Sequence, residues 1–302
     1  MKLCLGTVQQ GMEYGINNQY GKPSTEDSMA IFHEAVMKGI AVFDTARAYG
    51  NAELLLGEYF KNYGNREKVR VISKLRPNIL QAGEAVYDTM HRECECSLKR
   101  IGIEKLDGYL LHTPEYIRDT EAVNALVSLR EEGMVKNIGV SIYNMADGDI
   151  AINTGVVDYI QLPFSIFDQR GITSGLIHRA KAAGITLFAR SAFLQGLYFM
   201  NADSLPDKVK QAGPMLKRWN SIRDEYGFTP EEILIEFVKL FDEIDYLVFG
   251  VDTLQQLKRD IAVFHSPTSV DERIWKMIRT EFVQVSRSII IPSLWSDGRR
   301  TE

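Results

Sequence analysis

Short apolar runs alternate with stretches whose apolar positions recur at helical spacing along most of the chain. The runs at residues 2–6, 40–43, 69–74, 106–111, 138–141, 157–162, 185–189 and 246–249 predict strands. Helical spacing predicts helices from residue 24 to Gly39 and over 51–63, 82–101, 120–132, 145–153, 173–183, 230–241 and 254–263. The first of these has full punctuation: Ser24 as N-cap, Asp27 near the positive end, Ile31, Phe32, Ala35 and Val36 on one face, and Gly39 as the stop. Strands that alternate with helices imply a parallel sheet, and eight such units imply closure into a single (β/α)8 TIM barrel of the α/β class. No Gly-x-Gly-x-x-Gly follows the first strand, which argues against a Rossmann start. No linker rich in Pro, Gly or Ser interrupts the alternation, so residues 1–302 are expected to form one domain. Three pieces fall outside the repeat: a long segment at 190–228 after strand seven, an extra helix at 270–286, and an apolar tail at 289–295.

Composition narrows the function classes. At 302 residues, 45% hydrophobic and 25% charged, the chain has ample core for a barrel of about 250 residues. A net charge of −5 with both signs interspersed offers no field for nucleic acid or an anionic membrane. No apolar run approaches the roughly 18 to 20 residues that a membrane span needs. The start, Met1 to Gly6, is broken too soon by glycine to read as a signal peptide. Cys94 and Cys96 fall on different faces of a predicted helix, so no disulfide or metal knuckle is expected, and reduced thiols fit a cytoplasmic protein.

Strands two, three and four each run into an ionisable residue: Asp44 with Tyr49 shortly after it, Lys74, and His112. Active sites of such barrels lie on the loops after the strands' C-terminal ends, so these four groups are predicted to converge across the mouth. Tyrosine, with an ordinary pKa of about 10, is an available acid, and a neighbouring Lys74 cation is expected to lower that value. Asp44 supplies the anion that a buried Lys74 needs, and His112 can hydrogen-bond a substrate carbonyl. The set suits carbonyl reduction or its reverse. No side chain donates hydride, so a nicotinamide cofactor is implied, and no metal.

The same residues carry a resemblance. Leu5-Gly6-Thr7, Phe43-Asp44-Thr45-Ala46 with Tyr49-Gly50, Ile72-Ser73-Lys74, Leu110-Leu111-His112-Thr113-Pro114, Ile138-Gly139-Val140-Ser141 and Ile160-Gln161 are similar to landmarks of the aldo-keto reductases from end to end. The resemblance implies an NADP-dependent, in some members NAD-dependent, oxidoreductase with Tyr49 as acid/base, Lys74 and Asp44 as its tuning pair, and His112 as carbonyl-binding. It implies cofactor contacts at Gly6, Thr7, Ser141, Gln161, Arg190, Ser191, Phe193 and Gly196, and at the adenosine end at Gly250, Asp252 and Gln256. Arg190 stands where many members stack an aromatic ring, and Ile142 stands where an Asn often follows the Ser. The N-terminal hairpin that plugs many such barrels is expected to be missing. Asp252 stands where NADP-dependent members commonly carry a basic residue; it would repel a 2′-phosphate and accept from a 2′-hydroxyl, with Lys258 and Arg259 near enough in sequence to compensate.

The long segment after strand seven and the C-terminal tail are expected to wall the substrate pocket, with Phe193, Tyr198, Trp219 and Trp295 as the candidate walls and Arg47 as a contact for a hydroxyl-rich or anionic substrate. The pattern at both ends is similar to bacterial members associated with surface-polysaccharide and sugar metabolism, which implies a small carbonyl substrate of sugar type, with a general aldehyde beside it. The same resemblance admits a second class, a cofactor-binding regulatory subunit of the channel β-subunit type with little turnover.

Overall fold

The first apolar run, Lys2–Gly6, forms strand β1 and pairs in parallel with the second and the last strands of the chain. The computed structural model describes residues 1–81, 84–266 and 268–295. Strands β2 (Val42–Asp44), β3 (Arg70–Lys74), β4 (Gly108–Leu111), β5 (Ile138–Ser141), β6 (Tyr159–Pro163), β7 (Thr186–Arg190) and β8 (Tyr246–Phe249) follow in order around a closed, all-parallel barrel. This is the eightfold (β/α) barrel that the alternation predicts.

Strand parity explains where the chemistry ends up. Successive side chains on a strand point to opposite faces, so residues two apart share a face. Cys4, Val42, Ile72, Leu110, Phe188, Tyr246 and Val248 fill the barrel interior as one apolar cluster. Their neighbours Leu3, Leu5, Phe43, Val71, Tyr109 and Leu111 pack outward into the larger core beneath the helices. Two positions beyond the interior residues of β2, β3 and β4 come Asp44, Lys74 and His112, the next interior layer. Ring stacking in the lower layer, with Phe188 and Tyr246 centroids 4.6 Å apart, closes the barrel floor beneath that layer.

The outer helices begin where local chemistry says they should. Ser24 Oγ accepts from the Asp27 amide at 3.1 Å and starts the helix Thr25–Met37. Thr229 with Glu232, and Thr253 with Gln256, form capping boxes at the starts of Pro230–Lys239 and Leu254–His265. Cys94 is buried and Cys96 half-exposed, on different faces of the helix Val86–Ile101. No helix among the described residues is long and apolar enough to cross a membrane.

Several boundaries differ from expectation. β2 lies two residues downstream of the predicted start and takes in Asp44. The helix predicted over 82–101 runs from Val86, with residues 82 and 83 outside the described set. The helix predicted over 173–183 is broken in two, Arg170–Thr173 and Leu176–Ala182, because Gly175 between them takes a left-handed φ of 72°. Residues 190–228 do not form an irregular segment: they hold two 3₁₀ turns and a 14-residue helix, Gly213–Tyr226. The extra C-terminal helix is Glu272–Glu281, followed by short turns at Arg287–Ile290 and Pro292–Leu294 within the predicted tail; residues 296–302 lie outside the described set.

Candidate active site

Lys74 is the centre of the constellation. Its side chain is fully buried, and its Nζ donates to both carboxylate oxygens of Asp44, at 2.6 and 2.7 Å, and to the Thr45 carbonyl at 3.1 Å. The Tyr49 hydroxyl lies 3.3 Å from the same nitrogen, and the ammonium sits 4.9 Å from the centroid of the Tyr49 ring. Gln161 Nε2 donates to Asp44 Oδ1 at 2.9 Å, and Ser141 Oγ donates to Gln161 Oε1 at 3.2 Å. A hydrogen-bonded line therefore runs from Ser141 through Gln161 and Asp44 to Lys74 and Tyr49, across the ends or following loops of four of the eight strands. Thr7 supports this line from below: its backbone N–H and hydroxyl both reach the Asp44 carbonyl, at 2.9 and 3.1 Å.

The loop that carries Tyr49 is held by two close approaches. A Cβ on Gly11 would sit 1.8 Å from the Tyr49 carbonyl oxygen, and one on Gly50, whose φ is 54°, would sit 2.3 Å from the Gly11 carbonyl oxygen. Only glycine allows the two segments to touch there. Behind the loop, Glu53 is fully buried and accepts from Ser73 Oγ at 2.7 Å and from Arg100 Nε at 2.9 Å; Arg100 also donates to the Gly50 carbonyl at 2.8 Å. Arg47 joins this network through Glu53 at 3.7 Å and Glu93 at 3.5 Å. It braces the back of the loop and does not line the cavity, unlike its expected role as a substrate contact.

His112 faces Tyr49 edge to face, ring centroids 5.7 Å apart, and its ring has no hydrogen-bond partner among the described residues; Nδ1 is buried. Burial, with Lys74 and Arg190 nearby, pushes the imidazole down to about 3, so it is neutral at ordinary pH. An unfolded chain takes up this proton near pH 6.5 and the native one only near 3. Acidification through that window therefore favours the unfolded state.

Tyr49 departs from the sequence expectation. Its hydroxyl is held well above the usual phenol range, by burial first and by the Asp44 carboxylate second. The Lys74 cation does not reverse this: Asp44 accepts hydrogen bonds from it at both carboxylate oxygens and offsets its charge at contact distance.

Asp44, Tyr49 and His112 line a cavity of about 560 Å³. Of the cofactor contacts expected from sequence, Gly6, Ser141, Gln161, Arg190, Ser191, Phe193, Gly196, Gly250, Asp252 and Gln256 all line it; Thr7 lies beneath it. Arg190 stacks on Tyr143 at 4.4 Å and donates to the Ile142 carbonyl at 2.9 Å, which fixes its guanidinium plane. Beyond it the chain enters left-handed backbone at Ser191, Leu194, Gln195 and Gly196 (φ 63°, 44°, 53° and 86°), a local strain that shapes the cavity wall. The backbone N–H groups of Ala192 and Phe193 have no acceptor among the described residues. At the far end Gln256 Oε1 accepts from the Asp252 and Thr253 amides, leaving only its amide nitrogen for a ligand. Arg259 lines the cavity but is ion-paired with Glu231. Asp260 beside it is pushed up to about 8 by burial and by Glu231, so it is a hydrogen-bond donor at neutral pH.

The remaining wall candidates do not line the cavity. Tyr198 and Trp219 are fully buried and pack edge to face on each other, with the Tyr198 hydroxyl donating to Ser165 at 3.1 Å. Trp295 is 5% exposed and donates to the Ser288 and Ile289 carbonyls. The two expected segments do wall the cavity, through Phe193, Gln195 and Phe199 after β7 and Pro292 with Ser293 in the tail, and they are joined by residues that the sequence reading passed over: Tyr14 and Asn18 from the loop after β1, and Tyr143. The loop after β1 crosses the cavity, with the Ile16 amide on the Gln195 carbonyl at 3.0 Å and Gln195 Nε2 on the Tyr14 hydroxyl at 3.0 Å.

The sequence profile of the Aldo/keto reductase family matches residues 2–278. Among curated proteins, aldo-keto reductase YhdN of Bacillus subtilis (strain 168) is 27% identical over 202 residues, a match that covers 65% of this chain and 59% of the relative. The match thus spans less than two thirds of that relative's length. Among solved structures, the crystal structure of PA4992 from Pseudomonas aeruginosa, provisionally assigned as an aldo-keto reductase, aligns with a TM-score of 0.67. It is 20% identical and covers 87% of this chain and 89% of its own. A second structure from the same organism, with the same provisional assignment, gives a TM-score of 0.66 at 20% identity and the same coverage. These two likenesses bear on the fold.

Proposed function

The chain belongs to the aldo/keto reductase family, and on that footing we propose that it is an oxidoreductase interconverting an aldehyde or ketone and the alcohol, with NADP(H) or NAD(H) as its cofactor. The observation that supports this best is the Tyr49 hydroxyl, 3.3 Å from a Lys74 ammonium that is itself locked onto Asp44, opposite a neutral and unpartnered His112. A nicotinamide cofactor supplies hydride when bound. The cavity suits such a group: Ser141 and Gln161, hydrogen-bonded to each other, line it, and its β7 loop presents amide donors without acceptors among the described residues. Ser141 and Gln161 would hold the carboxamide, Ser191 and Phe193 the phosphates, and Asp252 and Gln256 the adenosine end.

The protein's own part is proton transfer and charge stabilisation. Tyr49 gives its proton to the substrate oxygen, and Lys74 then stabilises the phenolate left behind. His112, neutral, donates one N–H to the same oxygen and orients the carbonyl. The hydrogen-bonding side chains of the lining, among them Asn18, Gln195 and Ser293, suit a hydroxylated, sugar-type carbonyl compound, and its apolar part suits a simple aldehyde. The reading is tested by titrating the protein with NADPH and NADH, following nicotinamide fluorescence, and then adding aldehydes and aldoses. Turnover of any carbonyl upholds it, and absence of nucleotide binding overturns it.

Two further outcomes are expected. Reduction of an uncharged aldehyde should show no imidazole titration between about pH 5 and 8, because His112 stays neutral until far lower pH. A rate limb centred near pH 6.5 would mean that the ring is charged in the working enzyme. Asp252→Arg should raise the NADPH-to-NADH affinity ratio about tenfold or more, since it exchanges a repelling carboxylate for a charge-assisted partner of a 2′-phosphate. An unchanged ratio would place the adenosine end elsewhere.

A further inference from the structure

A second cleft opens on the same rim of the barrel, about 670 Å³ in volume, between the segments after β4, β5 and β6 and the C-terminal segment. Three guanidinium groups from three of those segments line it: Arg118, Arg170 and Arg287. Two are neutralised from behind. Arg118 donates to Asp147 at 2.5 Å, and Arg170 is bidentate on Asp168 at 2.8 and 2.7 Å. Arg287 has no carboxylate partner among the described residues; it donates to Asn144 Oδ1 at 2.5 Å.

That last bond has a second effect. Asn144 is the N-cap of the nine-residue helix Met145–Asn153, yet its side chain makes no cap hydrogen bond. The Met145 and Ala146 amides at this helix start have no acceptor among the described residues, and both residues line the cleft. The lining is thus a net positive set of donors: Arg287 has no carboxylate partner among the described residues, and Arg118 and Arg170 keep N–H groups that their Asp partners do not take. The cleft and the main cavity share no lining residue, but the same two segments supply both: Tyr143 lines the main cavity and Asn144 the cleft, and Ser293 lines the main cavity and Arg287, six residues earlier, the cleft.

We propose that this cleft is an oxyanion site, for a phosphate or carboxylate group, and that it anchors the distal end of a carbonyl substrate carrying such a group. The second half rests on the reductase reading; the first does not.

The test uses Arg287→Ala, which lies outside the proposed catalytic and cofactor groups. Thermal unfolding is followed with inorganic phosphate against sodium chloride of equal ionic strength. Phosphate should raise the Tm of the native protein and leave the variant unmoved. An equal rise in both, or none in the native protein, overturns the site. Turnover of 4-carboxybenzaldehyde and succinic semialdehyde is then compared with benzaldehyde and butanal. In the variant kcat/KM should fall about tenfold for the charged pair alone. A phosphate effect lost with Arg287, but with all four aldehydes unaltered, upholds the site for a free anion and overturns the substrate anchor. Nucleotide binding on the same samples decides the reductase reading independently of the phosphate arm.

Discussion

Replacing Tyr49 by Phe is expected to slow carbonyl reduction by about two to four orders of magnitude, the usual contribution of a positioned general acid. Nucleotide binding, read by nicotinamide fluorescence, should stay as it is. The substitution is clean because the ring has two contacts that survive it: the edge-to-face approach to His112 at 5.7 Å and the Lys74 ammonium at 4.9 Å. The hydroxyl's hydrogen bond comes from Lys74, which keeps three other bonds, two to Asp44 and one to Thr45. Little stability is therefore at stake, about 1 kcal/mol for one such bond. The raised Tyr49 pKa adds a direction to the result. In the reverse reaction Tyr49 must first lose its proton, so alcohol oxidation should keep rising across the alkaline range. A plateau near neutrality would mean that Lys74 lowers the phenol after all. Turnover by the Phe variant equal to that of the native protein would remove Tyr49 from the role of acid.

The barrel was legible from the alternation of strands and helices, and three of the four convergent groups from period-two strand parity, with Tyr49 on the loop that follows Asp44. Val42 and Asp44, Ile72 and Lys74, and Leu110 and His112 are each two apart, so an interior apolar residue in sequence announces an interior polar one at the strand's end. The long segment after β7 was not legible for a different reason. Its helix, Gly213–Tyr226, buries only Gly213, Leu216, Trp219 and Ile222, with Pro214 at the start and charged residues between. So thin a stripe reads as loop, and Trp219 then reads as a pocket wall instead of core. The walls from the loop after β1 escaped because they meet their partners over great sequence distances: Tyr14 reaches Gln195 across 181 positions and Asn18 reaches Asp252 across 234. No local pattern encodes such pairings. The sense of the Tyr49 shift escaped too, since burial sets it first and the Asp44 carboxylate second, a carboxylate held on Lys74 at 2.6 and 2.7 Å.

Those two distances also make Lys74→Met the substitution with the largest expected effect on stability. Asp44 is 3% exposed, and without the ammonium its carboxylate keeps only the Gln161 amide at 2.9 Å as a side-chain donor. A buried charge left in that state costs about 3–5 kcal/mol, a large share of the total stability of a domain. Denaturant unfolding should register a loss of that order, together with loss of turnover. Much of this cost belongs to the stranded charge and not to the missing bond. Lys74→Met/Asp44→Asn, which removes both charges, should therefore recover most of the stability while remaining inactive. If the double variant is as unstable as the single one, the pair holds the barrel mouth together by packing. If it recovers, Asp44 and Lys74 are there for chemistry: the fold tolerates their loss as a pair, and Tyr49 does not.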